Sequence, residues 1–280
     1  MGPRQARTGR YISMSGRNEN AAFSVGRDEP VRDEWAEKEC HLHLSILDRL
    51  GRSLSPDAVI LDFGCGDGRL VRGYRRMGFQ AFGVDVRLDA EHEFLSLMAP
   101  GPTHSRIPFP DNAFDFIVST SVVEHVEDLD AALSEMHRVL KPGGMSLHRF
   151  PPLCVLVEPH VFVPLAGVCR SRPWLLFWAL VGIRNSFQKN LNFLETFRRN
   201  HAYLHNRTFY RSKRELRRSI GRHFQNLTFA DAHIIKHSRG KGRLLSPLIE
   251  RFPRLALLYG ALRIRGVFFE KAASTPRGNQ

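Results

Sequence analysis

The chain has 280 residues, 42% hydrophobic and 25% charged, a balance that suits a globular α/β domain with an elaboration and excludes a disordered or collagen-like chain. Its formal charge of +13 is unevenly held: residues 1–160 carry 18 Lys+Arg against 23 Asp+Glu, and residues 161–280 carry 23 against 5. The basic half is either a solvated surface or the face for an acidic partner: an anionic membrane, an anionic substrate or nucleic acid.

Residues 1–29 read as a mobile arm without the apolar core of a signal peptide. A helix is expected over Asp33 to Leu50, with Trp35, Leu42, Ile46 and Leu50 on one face. Val59-Ile60-Leu61 reads as a buried parallel strand running into a glycine loop, and Arg69 to Met77 as the following helix. Ala81 to Val86 is a second strand, Asp89 to Met98 is expected to be helical, and a third strand is placed before Ile107. Phe114 to Thr120 is a fourth strand, Leu129 to Leu140 a helix stopped by Lys141-Pro142-Gly143-Gly144, and Met145 to Phe150 a fifth strand. This alternation implies a Rossmann-like, doubly wound parallel sheet that binds its ligand beyond the strand ends.

The remainder departs from that rhythm. Residues 151–210, rich in Pro, Phe, Trp and Arg, read as an insertion or lid, with Trp174 and Trp178 on one helix face. Residues 211–271 are expected to complete the sheet: a basic helix opened by the capping-box spacing Ser212 to Glu215, a strand over Leu227 to Ile235, a helical candidate over Pro247 to Arg263 and a last strand over Gly266 to Glu270. Residues 272–280 read as a tail. The longest apolar run, Pro173 to Ile183, is too short to span a bilayer. Cys40, Cys65, Cys154 and Cys169 form no CxxC pair and no metal-ligand spacing with histidine, which suits reduced thiols in the cytoplasm.

The chemistry centres on Asp62-Phe63-Gly64-Cys65-Gly66-Asp67-Gly68. Glycines between a strand and a helix N-terminus let backbone approach a ligand. A dinucleotide fingerprint would need Gly or Ala where Arg69 stands, and Asp62 suits a ligand with a positive group rather than a diphosphate. Asp85, 17 residues beyond Gly68 at the end of the second strand, is placed to accept hydrogen bonds from ribose hydroxyls.

These residues resemble a class I S-adenosylmethionine-dependent methyltransferase of the type 11 kind. Five blocks carry the resemblance: Val59 to Gly68, Gly83-Val84-Asp85, Ile107 to Asp115, Val123-Glu124-His125-Val126 and Arg138 to Gly144. It implies a seven-stranded sheet whose last strand is antiparallel, and S-adenosylmethionine as cofactor. By position, it assigns Asp62, Gly64, Cys65, Gly66 and Gly68 to the methionine end, Asp85 and Val86 to the ribose, Pro108 and Phe109 to the adenine edge, and Ser119 to the cofactor wall. The family's acidic adenine-binding position falls at Thr103 here.

Acceptor-side candidates follow the fourth and fifth strands. Glu124 and His125 either bind the acceptor and take its proton or fix the loop by hydrogen bonds. Glu158 and His160, two apart and on one side of an extended segment, form an acid/base pair or a buried turn; as two ligands without a visible third, they are not expected to hold a metal. The Glu158-Pro159-His160 block resembles that of a bacterial subgroup of unassigned substrate. Tyr203 and Arg207 are candidate acceptor contacts, Arg207 for a carboxylate or phosphate.

The expected activity is methyl transfer to a small-molecule or lipid-linked acceptor at oxygen, in the cytoplasm or peripherally on an anionic membrane. The alternative is a non-catalytic RNA- or membrane-binding protein on the same fold. Nucleic acid ranks lower, because the stripe Arg211, Lys213, Arg214, Arg217 and Arg218 comes without a recognised binding module.

Overall fold

The computed structural model describes residues 29–88, 93–98, 106–231, 234 and 262–273. Residues 1–28 of the expected N-terminal arm, Thr103, residues 274–280 of the expected tail and nearly all of the helical candidate over 247–263 lie outside the described residues.

Helix α1 (Glu29–Arg49) leads into β1 (Val59–Phe63), α2 (Arg69–Arg76), β2 (Gln80–Asp85) and β3 (Leu95–Leu97). Next come β4 (Phe114–Thr120), a 3-10 turn (Val123–His125), α3 (Leu129–Val139) and β5 (Leu140–Phe150). Helices α4 (Arg172–Val181) and α5 (Phe193–Asn206) belong to the insertion, and α6 (Lys213–Ile220), β6 (Gln225–Phe229) and β7 (Arg265–Glu270) close the domain. One seven-stranded sheet has the order β3-β2-β1-β4-β5-β7-β6. Strands β1 to β5 pair in parallel, while β7 runs antiparallel to both β5 and β6. The Rossmann-like sheet with an antiparallel last strand is therefore as expected.

Buried faces follow from residue type. Ile60, Leu61, Phe116, Ile117 and Val118 are inaccessible because β1 and β4 are central and covered on both sides. One layer packs α1 and α2 against the sheet through Ile46, Leu47, Val71 and Tyr74. The other packs α3 and α6 through Leu133, Met136, Leu216 and Ile220. At the α1–α2 contact, a Cβ on Gly73 would lie 2.9 Å from Cys40 Sγ, so glycine sets the helix spacing.

The expected helix over 89–98 is not what forms at its described end: Leu95–Leu97 is the third strand, paired with Gly83–Asp85. The physical reason is a hollow beside two glycines. Leu95 fills it so closely that a Cβ on Gly68 or Gly83 would lie 2.8 Å from its methyl groups. The strand near the C-terminus also differs from expectation. It begins at Gln225, ends at Phe229 and gives way to helical backbone at Asp231. The capping box at Ser212 forms, with Ser212 Oγ accepting from the Glu215 N–H and Glu215 Oε2 accepting from the Ser212 N–H.

Chain order reverses between β1 and β4, and in open α/β sheets such a switch point is where ligands bind, beyond the C-terminal ends of the strands. Both site halves described next flank it.

Candidate active site

The loop after β1 is a sequence of left-handed turns. Gly64, Gly66 and Gly68 have φ of 82°, 53° and 74°, a region that side chains disfavour. Their surroundings differ. A Cβ on Gly64 would lie 2.3 Å from Val122 Cγ2, whereas one on Gly66 would meet nothing within 4 Å. Gly64 is thus needed for packing, and Gly66 offers open backbone to a ligand. Asp85 holds this loop: its Oδ2 accepts the Gly66 N–H at 2.9 Å and its Oδ1 accepts the Arg87 N–H at 3.2 Å.

Asp62 is 2% exposed, and its Oδ1 has no hydrogen-bond partner among the described residues. Burial, then the negative charges of Asp85 and Asp67, push its carboxyl up to about 8. Burial likewise raises the Cys65 thiol. An orphaned acid beside open glycine backbone fits a ligand that brings a positive group, which is the character of the methionine end of S-adenosylmethionine.

The next wall is Ile107 to Asp111. Arg138 donates to the carbonyls of Ile107 and Phe109 and to Asp111, each at 2.8 Å, while Glu135 Oε2 accepts the Ile107 N–H at 3.0 Å. Arg138 and Glu135 also bond each other, so helix α3 fixes this loop through one ion pair. Phe109 packs edge-on against Phe114 at 5.0 Å, and Pro108 is exposed. Val86 is 73% exposed beyond Asp85. Ser119 is buried, and its hydroxyl is 2.7 Å from His148 Nδ1, within the sheet.

The second half begins at the turn after β4. Ser121 takes a φ of 58°, and the Val123–His125 turn follows directly. Val122, seated against Gly64, ties this turn to the glycine loop. His125 Nδ1 is 2.6 Å from the Arg207 carbonyl, and its Nε2 is 3.2 Å from His160 Nε2. His160 Nδ1 in turn lies 2.6 Å from Glu158 Oε1.

Glu158 and His160 do not share an extended segment; they close a tight turn bounded by a Val157–Pro164 bridge. Glu158 Oε2 accepts the N–H groups of His160 and Val161 at 2.9 and 2.8 Å, and the Tyr210 hydroxyl donates to Oε1 at 2.7 Å. Burial opposes ionisation here, but the bonds from His160, Tyr210 and the backbone outweigh it and hold the Glu158 carboxyl below its ordinary value. Glu124, by contrast, has neither side-chain oxygen partnered among the described residues, and burial pushes it up to about 7. Burial also lowers the His125 imidazole.

Tyr203 flanks the pair, with its ring centroid 5.4 Å from that of His160 and 6.4 Å from that of His125. Arg207 enters through its backbone: its carbonyl takes the bond from His125. The structure therefore brings His125, Glu158, His160, Glu124, Tyr203 and Arg207 into one cluster. Two supports were not legible. Asn185 bonds the His160 carbonyl at 2.9 Å, and Arg170 spans the carbonyls of Leu204 and Thr208 with its guanidinium over the Tyr210 ring.

The basic stripe is partly consumed by folding. Arg211 donates to the carbonyls of Val123, Val126, Glu127 and Phe209, Lys213 pairs with Asp231, and Arg217 stacks over Phe229. No helix among the described residues is long and apolar enough to cross a membrane.

Comparison with known proteins agrees with this geometry. A methyltransferase domain family matches residues 61–147. The chain is similar to ubiquinone biosynthesis O-methyltransferase of Bradyrhizobium sp. (strain ORS 278), 37% identical over 94 residues, covering 31% of this chain and 37% of that protein. It is also similar to malonyl-[acyl-carrier protein] O-methyltransferase of Serratia marcescens, 34% identical over 105 residues, covering 34% and 39%. The chain thus spans about two fifths of the length of these curated relatives. Among solved structures, an S-adenosylmethionine-dependent methyltransferase from Mesorhizobium loti aligns with a TM-score of 0.47 at 14% identity, covering 85% of this chain and all of that one. The family match thus locates a methyltransferase domain at residues 61–147, the stretch that holds the glycine loop braced by Asp85 and runs from strand β1 into strand β5 of the sheet.

Proposed function

We propose that this protein transfers a methyl group from S-adenosylmethionine to an oxygen of a small or amphipathic acceptor, with residues 151–210 as the acceptor lid. The observation that carries the reading is the Val122–Gly64 contact, which sets the histidine cluster directly beside the donor loop. O-methyltransferases among the relatives support oxygen as the acceptor atom.

The cofactor supplies a methyl group on a sulfonium, whose displacement leaves a neutral thioether. Asp62 would bind the positively charged methionine end, Asp85 the ribose hydroxyls, and Pro108 and Phe109 the adenine edge. Since the leaving group needs no proton, the protein's work is to orient the acceptor, exclude water and accept the hydroxyl proton. An Nε2 atom of the His125–His160 pair can take that proton, and Glu158, bonded to His160 Nδ1, would steady the resulting charge. Tyr203 forms an aromatic wall beside the pair.

The same reading extends to an anionic membrane presenting the acceptor. Trp174 and Trp178 pack inward at the insertion's own small core, Trp174 donating to the Pro164 carbonyl at 2.8 Å. The other side of α4 leaves Phe177, Leu180 and Val181 more than half exposed, between Arg172 and Arg184. Exposed apolar groups rimmed by arginine suit an interfacial helix. Calorimetry with S-adenosylmethionine tests the donor; methyl-label transfer into lipid, sugar, small-molecule and RNA fractions of a cell extract tests the acceptor. No cofactor binding by the wild-type protein would sink the reading.

A further inference from the structure

We infer that Glu124, His125 and His160 form a binding site for a divalent transition-metal ion. Their potential ligand atoms all lie within 4.8 Å of one another. The sequence offered only Glu158 and His160 as a pair; folding substitutes His125 and Glu124 as ligands and moves Glu158 to a supporting position.

Hydrogen bonding fixes the tautomers. A carbonyl only accepts, so His125 must present Nδ1–H to Arg207 O. Glu158 already accepts two backbone N–H groups and the Tyr210 hydroxyl, so His160 likewise presents Nδ1–H to it. In the neutral rings both Nε2 atoms then carry lone pairs, and they face each other at 3.2 Å. Beside them stands Glu124, its side chain inaccessible, neither oxygen hydrogen-bonded, with Oε1 3.9 Å from His125 Nε2. Two lone pairs and a carboxylate converge without a donor, an arrangement that calls for a cation at the centre.

The spacing suits a metal. With bonds of about 2.0–2.1 Å, two imidazole nitrogens sit about 2.8–3.0 Å apart on an octahedral ion and about 3.3–3.4 Å apart on a tetrahedral one. Glu124 is the outlying ligand, 3.9 Å from His125 Nε2 in a set that spans up to 4.8 Å, and needs to move inward by about 1 Å to coordinate. Both imidazoles also have the outer bonds typical of metal-ligating histidine, one to a carbonyl and one to a carboxylate. Imidazole ligands favour zinc, iron, nickel or copper over magnesium, calcium or manganese. The side chains of His125 and His160 are 32% and 26% exposed, so an ion here would keep an open position toward solvent. Resting on the function proposed above, that position is where an acceptor hydroxyl would bind and become more acidic, the two imidazoles then serving as ligands and the ion in their place.

The test is metal binding by the full chain after chelator treatment. Titration with Zn²⁺ by calorimetry, and with Co²⁺ by visible absorption, should show one tight equivalent with the ligand-field bands of a low-coordinate nitrogen–oxygen site. His160→Ala and Glu124→Gln should each weaken it at least tenfold, and Glu158→Gln about 10–100-fold. A competing pair exists at the stacked His201 and His205, so His201→Ala/His205→Ala should leave the tight equivalent intact. S-adenosylmethionine calorimetry and a thermal melt on each variant confirm folding. Equal affinity in wild type and a folded His125→Ala/His160→Ala variant would overturn the site. So would undiminished methyl transfer by metal-free protein that regains no metal tightly; in that case the methyltransferase reading stands and only the metal falls.

Discussion

In the donor half, Asp85 reaches the Gly66 N–H across 19 residues of chain, and what it holds is backbone. In the histidine cluster, His125 meets His160, Arg207 meets His125 and Tyr210 meets Glu158 across 35, 82 and 52 residues, and most of what meets is side chain. A site made of backbone in unusual dihedrals depends on glycine at fixed local spacing, so a short motif encodes it. A site made of side chains from distant segments depends on how those segments pack.

Gly64→Ala should break the contrast most severely, because it damages both halves at once. Positive φ and the Val122 clash together should cost about 2–5 kcal/mol in denaturant unfolding and abolish cofactor binding. His160→Ala should separate the halves: kcat falls about 100-fold or more while the calorimetric Kd for S-adenosylmethionine is unchanged. Loss of cofactor affinity in that variant would mean the halves are not independent. Asp85→Ala does the reverse, weakening cofactor binding by about 1–3 kcal/mol through the lost charge-assisted bonds.

Asp62 gives a pH test confined to the donor half. Its carboxyl keeps a proton up to about pH 8 in the folded protein, whereas the unfolded chain releases it near the ordinary value of 3.8. The unfolded state therefore binds fewer protons between these limits, and this group's contribution to stability falls as pH rises. Unfolding at pH 5.5 and 7.5 should show a component of that sign that disappears in Asp62→Asn. Cofactor binding near pH 7 should also release a proton, seen as heats that vary with buffer ionisation enthalpy. The smallest effect belongs to the insertion surface: Leu180→Ser should alter stability by no more than about 0.5 kcal/mol yet reduce salt-sensitive association with anionic vesicles.

The same contrast decides what could be read in the sequence. The glycine loop, β4 and the Ser212 cap were legible because each is a local signal of spacing and residue type. Strand β3 was not, since its three residues are extended by the hollow beside Gly68 and Gly83, and those glycines lie 27 and 12 positions before Leu95. The members of the histidine cluster were nameable from chemistry, but their meeting was not. Only the folded chain turns Glu158 from a neighbour of His160 in sequence into the acceptor of four hydrogen bonds, and only there does the Arg207 carbonyl meet His125.

Arg211 carries a consequence for how such a fold diversifies. It grips four carbonyls around the turn after β4, and the Phe209 N–H bonds the Glu124 carbonyl at 2.6 Å. The excursion that leaves β5 and passes through His160 therefore returns to the turn that bears His125. Both ends of this cassette are pinned beside the chemistry, while the stretch between, including α4 and most of α5, is anchored mainly to itself. Under the function proposed above, changes of length or sequence in that stretch would leave the reacting groups undisturbed and acceptor choice free to drift while the donor stays fixed.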